Sequence, residues 1–330
     1  MPAPTPPDAP ASGMDLDSLE AARRFVSRHT RHTPVLSSRL LDEETGFRVA
    51  LKAEMFQRTG SYKLRGALNK LRLLDAEQRR RGVICSSAGN HAQGVALAAA
   101  MSRARAVVVM AENATPAKVA ATRAYGAEVV LHGTIWDEAD ARARQLAEEQ
   151  GLAYVHPFDD PDLIAGQATL GLEIAEDVPE PDVVVVPIGG GGLISGVAQA
   201  VKLRSPRTRV VGVESSGAPG MLESVRAGHV VTLDRVDCVI DGLRVRRVGT
   251  LTHQVVSRWV DEIVTLPDRE IFESVLWLLG RQKVVAEGAA AATVAAVRRG
   301  LVRAGRGARV VCVLSGGNLG LERLADLSWN

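Results

Sequence analysis

Long apolar runs are missing from this chain of 330 residues. No stretch approaches the roughly 18 uncharged residues that a membrane-spanning helix requires. Cysteine is scarce too, since the chain has only Cys85, Cys238 and Cys312, an odd number without metal-ligand spacing. Neither charge predominates, because 40 basic and 38 acidic side chains leave a formal net charge of +2. We therefore expect a cytoplasmic protein with no membrane segment and no nucleic-acid partner.

Hydrophobic residues make up 46% of the chain and charged residues 24%, values typical of a globular protein with a sizeable core. From about residue 46, short β-branched runs alternate with longer amphipathic segments, which predicts an α/β fold with parallel strands joined by helices. The candidate buried strands are Val83–Cys85, Ala106–Met110, Glu128–Leu131, Val183–Ile188, Val210–Val213 and Val310–Leu314.

The same pattern predicts how the chain is divided. We expect a disordered tail at residues 1–14, which hold five prolines. Residues 70–157 contain several strand–helix units of their own and are expected to form a small α/β domain. That domain is inserted in a larger one made of residues 15–69 and 158–330.

Ligands bind at the carboxyl ends of parallel strands, so the loops that follow the predicted strands are the candidate sites. Gly189, Gly190, Gly191 and Gly192 follow an apolar run and precede a helical segment that begins near Leu193. Four glycines let successive amides turn toward one point at a positive helix end, which suits a phosphate. A flexible turn is the alternative. The spacing matches neither the dinucleotide fingerprint nor a nucleotide-binding P-loop.

Lysine is rare in this chain, with six residues against 34 arginines, so a lysine in a special position is conspicuous. Lys63 lies in the segment Thr59-Gly60-Ser61-Tyr62-Lys63, after a strand-like run and at the start of a helical one. Partial burial and the helix dipole lower a lysine's pKa, as a Schiff-base nucleophile requires. A solvated surface lysine explains the same sequence equally well.

Two further loops place small and amide side chains at strand ends. The segment Ser87-Ala88-Gly89-Asn90-His91 precedes an alanine-rich helix, where it could hold a carboxylate or a phenolic oxygen, or simply cap the helix. Ser315-Gly316-Gly317-Asn318 follows the last predicted strand. Each of these loops alone could be an ordinary turn.

Taken together, and in this order along the chain, the four loops resemble the fold-type II pyridoxal-phosphate enzymes. Within them the chain is most similar to the serine/threonine dehydratase (threonine ammonia-lyase) and serine racemase group. The resemblance extends from about Thr33-Pro34 to Gly320. It implies two open, twisted, mostly parallel sheets with flanking helices, as in the β subunit of tryptophan synthase, and pyridoxal 5'-phosphate as cofactor.

The resemblance also implies a role for each matching residue. Lys63 would bind the cofactor covalently, Asn90 would contact its ring oxygen and Ser315 its ring nitrogen. Glu287, in Val285-Ala286-Glu287-Gly288, would lie near the ring. The phosphate would be held by Gly189, Gly190, Gly191, Gly192 and Leu193, and the substrate carboxylate by Ser87, Asn90 and His91.

This chain departs from its group at two positions that bear on the reaction. Racemases carry a serine, the second base, where this chain has Ala88. Relatives that bind a divalent ion have an aspartate where this chain has Gly220, which leaves Glu214 without a partner carboxylate. We therefore expect no metal site of the divalent kind, while a monovalent ion bound by backbone carbonyls stays possible.

The resemblance implies a lyase that deaminates L-threonine or L-serine to a 2-oxo acid and ammonia. Two alternatives on the same scaffold are an amino-acid racemase and a dehydratase for 3-hydroxyaspartate-type substrates. The second alternative is open because Arg244 replaces a smaller residue and could pair with a second carboxylate. A cofactor-free or nucleotide-binding regulatory module is a third possibility, of a different class. A homodimer or homotetramer is expected.

Overall fold

The computed structural model describes residues 14–320, so nearly all of the predicted tail lies outside the described residues. The strands are β1 (Val35–Ser37), β2 (Arg48–Ala53), β3 (Val83–Ser86), β4 (Ala106–Met110), β5 (Glu128–Leu131), β6 (Ala153–Tyr154), β7 (Val183–Pro187), β8 (Arg209–Ser215), β9 (Glu262–Leu266) and β10 (Arg309–Leu314). The helices are α1 (Leu16–Val26), α2 (Arg39–Thr45), α3 (Lys63–Leu73), α4 (Ala76–Arg81), α5 (Asn90–Met101), α6 (Pro116–Ala124), α7 (Trp136–Gln150), α8 (Pro161–Asp177), α9 (Gly192–Arg204), α10 (Gly220–Ala227), α11 (Thr250–Trp259), α12 (Asp268–Trp277) and α13 (Gly288–Arg298). A 3₁₀ turn covers Glu54–Phe56 and a π-helical turn Leu278–Gln282.

The strands form two sheets, which confirms the predicted fold class. The larger sheet has the order β1-β2-β10-β7-β8-β9, and the smaller has the order β5-β4-β3-β6. Every strand pair is parallel except β1 with β2. Parallel strands need long crossover connections, and the helices between them supply these.

The last strand that the structure describes, β10, occupies an interior position of the larger sheet. Strand β10 lies between β2 and β7, with Val311 opposite Ala50 and Cys312 opposite Val185. The apolar run of β7 is buried along its whole length, as expected for a strand covered on both faces. Small side chains in α13, including Ala289–Ala292, let this helix pack closely against the sheet.

The smaller sheet is built entirely from residues within 70–157. Strands β3 and β4 are buried, as their apolar sequences predict. Strand β5 has its predicted bounds, Glu128–Leu131, but the expectation that it is buried is wrong, because both of its end residues are exposed. This strand lies at the edge of the sheet and has β4 as its only neighbour.

The first described residues pack against helices of the larger sheet. Met14, which we assigned to the tail, is buried and clusters with Leu19, Ile164 and Leu172. Asp15 then caps α1 by accepting a hydrogen bond from the Ser18 amide at 2.8 Å. Among residues 14–320 no helix is long and apolar enough to cross a membrane.

Candidate active site

Most of the predicted site residues lie on loops that follow strands of both sheets or in the first turns of the helices after those loops. Glu287 is the exception, because it follows the π-helical turn and occupies the N-cap position of α13. Residues 54–62 follow β2, 188–191 follow β7, and 315–318 follow β10 in the larger sheet. Residues 87–89 follow β3 in the smaller sheet, and 155–160 follow β6. All five segments come after the carboxyl ends of their strands, the edge at which open α/β sheets bind ligands.

Lys63 is the first residue of α3, and its side chain is partly buried. Its Nζ donates a hydrogen bond to the Pro157 carbonyl oxygen at 2.7 Å and lies 5.4 Å from the centre of the Tyr62 ring. Burial lowers the pKa of the Lys63 amine to about 8, although the charge of Glu287 opposes this shift. The amine therefore loses its proton far more easily than a solvated lysine does.

The loop before Lys63 is held in register with the loop after β10. The Tyr62 amide donates to the Ser315 carbonyl oxygen at 3.1 Å, and the Gly317 amide donates to the Gly60 oxygen at 2.9 Å. Ser315 itself is 2% exposed. These backbone bonds bring Ser315 and Lys63 together, although 252 positions separate them in the sequence.

Asn90 and Glu287 meet directly. The Asn90 amide nitrogen donates to both carboxylate oxygens of Glu287, at 2.8 and 3.0 Å. Asn318 donates in turn to the Asn90 side-chain oxygen at 2.7 Å. Burial raises the pKa of the Glu287 carboxyl group, while the Asn90 hydrogen bond works against this rise. The loops after β3 and β10 and the segment before α13 thus form one connected polar group.

The tetraglycine loop leads directly into α9. Gly191 has φ +93° and occupies the N-cap position, a backbone conformation that other residues rarely adopt. A Cβ at Gly190 would lie 2.2 Å from the Phe158 ring, and one at Gly189 would lie 2.4 Å from the Gly242 carbonyl oxygen. The loop therefore requires glycine, and it precedes a positive helix end at which Leu193 is buried.

Ser87 and His91 lie at the start of α5. The Ser87 hydroxyl accepts a hydrogen bond from the Gly89 amide at 3.2 Å, and His91 Nε2 is 3.0 Å from the Val155 carbonyl oxygen. Among the described residues, His91 Nδ1 has no hydrogen-bond partner. Burial lowers the pKa of His91 to about 3, with the Lys63 charge acting in the same direction. His91 is therefore neutral in the folded protein at ordinary pH.

The sequence reasoning missed the segment after β6, which contributes directly to the site. Pro157 accepts the Lys63 hydrogen bond, Phe158 packs against the tetraglycine loop, and Asp159 accepts from the Thr250 and Thr252 amides at the start of α11. The only signal was the Asp159-Asp160-Pro161 helix start, because β6 has just two residues.

His156 holds the segment after β6 in its turn. Its Nδ1 accepts hydrogen bonds from the Phe158 and Asp159 amides, at 3.2 and 2.7 Å. These two bonds close the turn between β6 and α8. His253, in α11, is buried and lies 3.1 Å from the Ser224 carbonyl oxygen.

Glu214, whose expected partner carboxylate is replaced by Gly220, and Arg244, which replaces a smaller residue, have different environments. The Glu214 carboxylate accepts hydrogen bonds from the Met221 and Leu222 amides at 2.8 and 2.9 Å and so caps α10. Burial raises the pKa of Glu214 to about 8. No group of three or more His, Cys, Asp or Glu among residues 14–320 is arranged to hold a metal ion. Arg244 is exposed.

The residues of this site fit an aldehyde that carries a phosphate, as pyridoxal phosphate does. The tetraglycine loop directs backbone amides to the start of α9, and the amine of Lys63 is available for a covalent bond. Three buried hydroxyls, of Ser61, Ser86 and Ser195, have no hydrogen-bond partner among the described residues, and two of them lie beside the groups that would hold the cofactor. Ser61 precedes Lys63 by two positions, and Ser195 lies in the first turn of α9, so both are near the groups that would hold the cofactor.

Comparisons with known proteins agree with this assignment. Residues 26–316 match the family described as pyridoxal-phosphate dependent enzyme. The chain is 45% identical to the L-threonine ammonia-lyase of Thermotoga maritima over 309 residues, which cover 94% of this chain and 77% of the relative. It is 43% identical to the catabolic L-threonine dehydratase TdcB of Escherichia coli K12, covering 94% and 95% of the two chains.

The fold is similar to that of a solved relative with a different activity in its name. The structure of maize serine racemase superposes with a TM-score of 0.90 at 35% sequence identity. The match covers 94% of this chain and 96% of the racemase. The scaffold is therefore shared by proteins named as lyases and as racemases, so the scaffold alone does not determine the reaction.

Proposed function

Because the chain belongs to the family of pyridoxal-phosphate dependent enzymes, we propose that it deaminates L-threonine or L-serine to a 2-oxo acid and ammonia. The observation that carries this proposal is the position of Lys63. Its partly buried amine, with a lowered pKa, lies where loops of the two sheets meet. The names of the relatives from Thermotoga maritima and Escherichia coli support the substrate class.

The proposed contacts follow the loops described above. The cofactor is held by Lys63, Asn90, Gly189, Gly190, Gly191, Gly192, Leu193, Ser315 and Glu287. The substrate carboxylate is held by Ser87, Asn90 and His91. His91 is neutral and its ring N–H donates to the Val155 carbonyl oxygen, so the ring offers the carboxylate neither a positive charge nor a further donor. The proposed contact is therefore made by the His91 backbone amide in the first turn of α5.

Lys63 and Ser315 have different roles in the proposed reaction. Bound pyridoxal phosphate supplies an electron sink for the bonds at the substrate Cα. Lys63, with a pKa of about 8, has a neutral fraction near neutral pH and accepts the Cα proton. Ser315 would face the ring nitrogen of bound pyridoxal phosphate, and its neutral hydroxyl, unlike a carboxylate, would not hold that nitrogen protonated. This arrangement would favour elimination of the β-hydroxyl over side reactions, such as transamination, that need a long-lived carbanion. Loss of the β-hydroxyl as water, followed by hydrolysis, gives the 2-oxo acid and ammonia.

Racemisation is the alternative that one observation favours, namely the close fold similarity to maize serine racemase. A racemase needs a second base on the opposite face of the substrate, and the loop residue at that position is Ala88, which carries no titratable group. We therefore propose elimination as the main reaction. Faster conversion of L-serine to D-serine than to pyruvate would reverse this order.

A panel of hydroxy-amino acids tests the proposal directly. The holoenzyme is incubated with L-threonine, L-serine and 3-hydroxyaspartate, and the release of 2-oxo acid and ammonia is measured. Lys63→Ala serves as the blank. We expect turnover of threonine or serine by the wild type only, whereas equal turnover by the blank would contradict the proposal. Preferential turnover of 3-hydroxyaspartate would direct attention to Arg244.

We also propose the domain division, the cellular location and the oligomeric state of this enzyme. Residues 70–157 form a small domain, and residues 15–69 with 158–330 form the large one, a division supported by the separate four-stranded sheet. The location is cytoplasmic, which three buried free cysteines support. The assembly is a homodimer or homotetramer, and sedimentation equilibrium of the purified protein tests it.

A further inference from the structure

Arg65 lies two residues after Lys63, and its side chain is fully buried. Its Nε and Nη2 donate to the two carboxylate oxygens of Glu54, each at 2.8 Å. Its Nη1 and Nη2 donate to the two oxygens of Glu173, at 2.6 and 3.0 Å. The guanidinium is therefore bound on two sides by bidentate carboxylates, the geometry in which arginine is most directional.

The pair of carboxylates around Arg65 is part of a larger buried network. Lys52 donates to Glu173 at 2.9 Å, to Asp177 at 2.8 Å and to the Thr33 carbonyl oxygen at 2.7 Å. Two cations thus face three carboxylates. Burial alone disfavours the charge on Arg65, but Glu54 and Glu173 more than offset this and raise its pKa. Arg65 therefore keeps its charge at every pH at which the protein is folded.

This network closes the loop that carries Lys63. Glu54 follows β2 directly, and Arg65 lies in the first turn of α3, so their ion pair joins the two ends of the segment. Glu173 fixes the same turn to α8. On the α8 side the backbones approach closely, since a Cβ at Gly166 would lie 2.6 Å from the Arg65 carbonyl oxygen.

Stability alone does not explain such a network. Removing two charges from water costs roughly what their attraction returns, and apolar replacements of a buried pair are often neutral or stabilising. A directional network does, however, fix the rotation and the axial position of the helix turn that contains it. Catalysis is sensitive to this, because a misplacement of about 1 Å can reduce the rate about 100-fold.

We propose that Arg65 is a positioning residue whose ion pairs with Glu54 and Glu173 fix the first turn of α3 and thereby direct the Lys63 amine into the site. This inference rests on the proposed role of Lys63. The network acts through placement, and its charges do not touch the substrate or the cofactor. Nothing in the reaction itself requires a buried guanidinium at this position.

The test compares three variants of the full chain. Glu54→Met with Arg65→Met removes one cation and one carboxylate together, so the net charge of the network is unchanged, and Glu173 keeps Lys52 as its partner. Arg65→Lys keeps the charge but loses the planar fork. Lys70→Met is the matched control, since Lys70 lies on the same helix and pairs with Asp160 and Asp162 near the start of α8.

Two measurements separate placement from folding. The first is the pH dependence of Lys63 labelling by trinitrobenzenesulfonate in the cofactor-free protein, and the second is kcat and KM of the holoenzyme. We expect the double variant to unfold cooperatively near the wild-type midpoint. Its Lys63 labelling should shift toward the pH of an ordinary lysine by about one unit or more, and its kcat should fall about 10- to 100-fold with KM changed less than about threefold. For Arg65→Lys, the labelling profile and kcat should lie between those of the wild type and the double variant. For Lys70→Met, both should match the wild type.

An unchanged labelling profile together with unchanged kcat in the double variant would overturn the inference. Failure of the double variant to fold, while Lys70→Met folds, would overturn it as well, because the network would then serve the fold itself. The labelling profile does not depend on which substrate is turned over. If the wild type labels near pH 8 but deaminates nothing, the proposed function fails and the labelling of the variants still decides the role of Arg65.

Discussion

The first turn of α3 presents two cations to two different environments. Arg65 is surrounded by carboxylates that fix its charge, whereas Lys63 has one neutral carbonyl oxygen as its hydrogen-bond acceptor. The Arg65 guanidinium cannot release a proton, whereas the Lys63 amine, with a pKa of about 8, readily does so. The contrast shows how a single helical turn can combine a rigid anchor with a reactive group.

Removing the reactive member of this pair is expected to have the largest effect. Lys63→Ala deletes both the covalent anchor and the base, so kcat for threonine or serine should fall at least about 1,000-fold. The assay is 2-oxo acid release by the holoenzyme, and Lys70→Ala on the same helix is the control. A Lys63→Ala protein with a tenth of wild-type activity would remove Lys63 from the mechanism.

The tetraglycine loop provides the next test, on the phosphate side of the site. Gly190→Ala places a methyl group 2.2 Å from the Phe158 ring, so the loop must shift and the dissociation constant of pyridoxal phosphate should rise at least about tenfold. Phe158→Ala in the same chain should restore part of the affinity. Gly305→Ala, where a Cβ meets no atom within 4 Å, is the control. Cofactor titration by absorbance measures all three, and unchanged affinity in Gly190→Ala would contradict the assignment.

The pH dependence of the labelling of the Lys63 amine tests the contrast with Arg65, which keeps its charge. Amines react only when neutral, so labelling of Lys63 in the cofactor-free protein should rise about tenfold per pH unit up to about pH 8 and then level off. Exposed Lys283 in the same digest is the internal reference. His91, with a pKa of about 3, should add no inflection near pH 6.5. A Lys63 midpoint near pH 10.5 would show that the amine is solvated.

The smallest expected effect concerns the helix behind Lys63. A Cβ at Gly94 of α5 would lie 3.0 Å from the carbonyl carbon of Lys63, so Gly94→Ala should move α3 by a few tenths of an ångström. We expect kcat to fall about two- to fivefold, with Ala100→Gly at the exposed far end of α5 as the control. No change in kcat would mean that the placement of Lys63 tolerates shifts of this size.

How much the sequence predicts depends on the range of the interaction. Strand β4 is found at its predicted bounds, Ala106–Met110, because a continuous β-branched run is a local signal. The four loops that contain Lys63, Asn90, the tetraglycine run and Ser315 are predicted as site loops from their resemblance to a family. The Asn90–Glu287 contact spans 197 positions and leaves no local pattern. Arg65 also escapes notice, because a buried arginine and a surface arginine look the same in a sequence.

The topology of the larger sheet has a consequence for biosynthesis. Strand β10 fills the space between β2 and β7, and the loop after β10 holds the register of the loop before Lys63. While a ribosome is still making this polypeptide, the smaller sheet can assemble from strands already released, but the larger sheet keeps a gap at its centre. Nascent chains that stop before β10 therefore lack both the complete sheet and the aligned amine, so that activity requires synthesis to have passed β10.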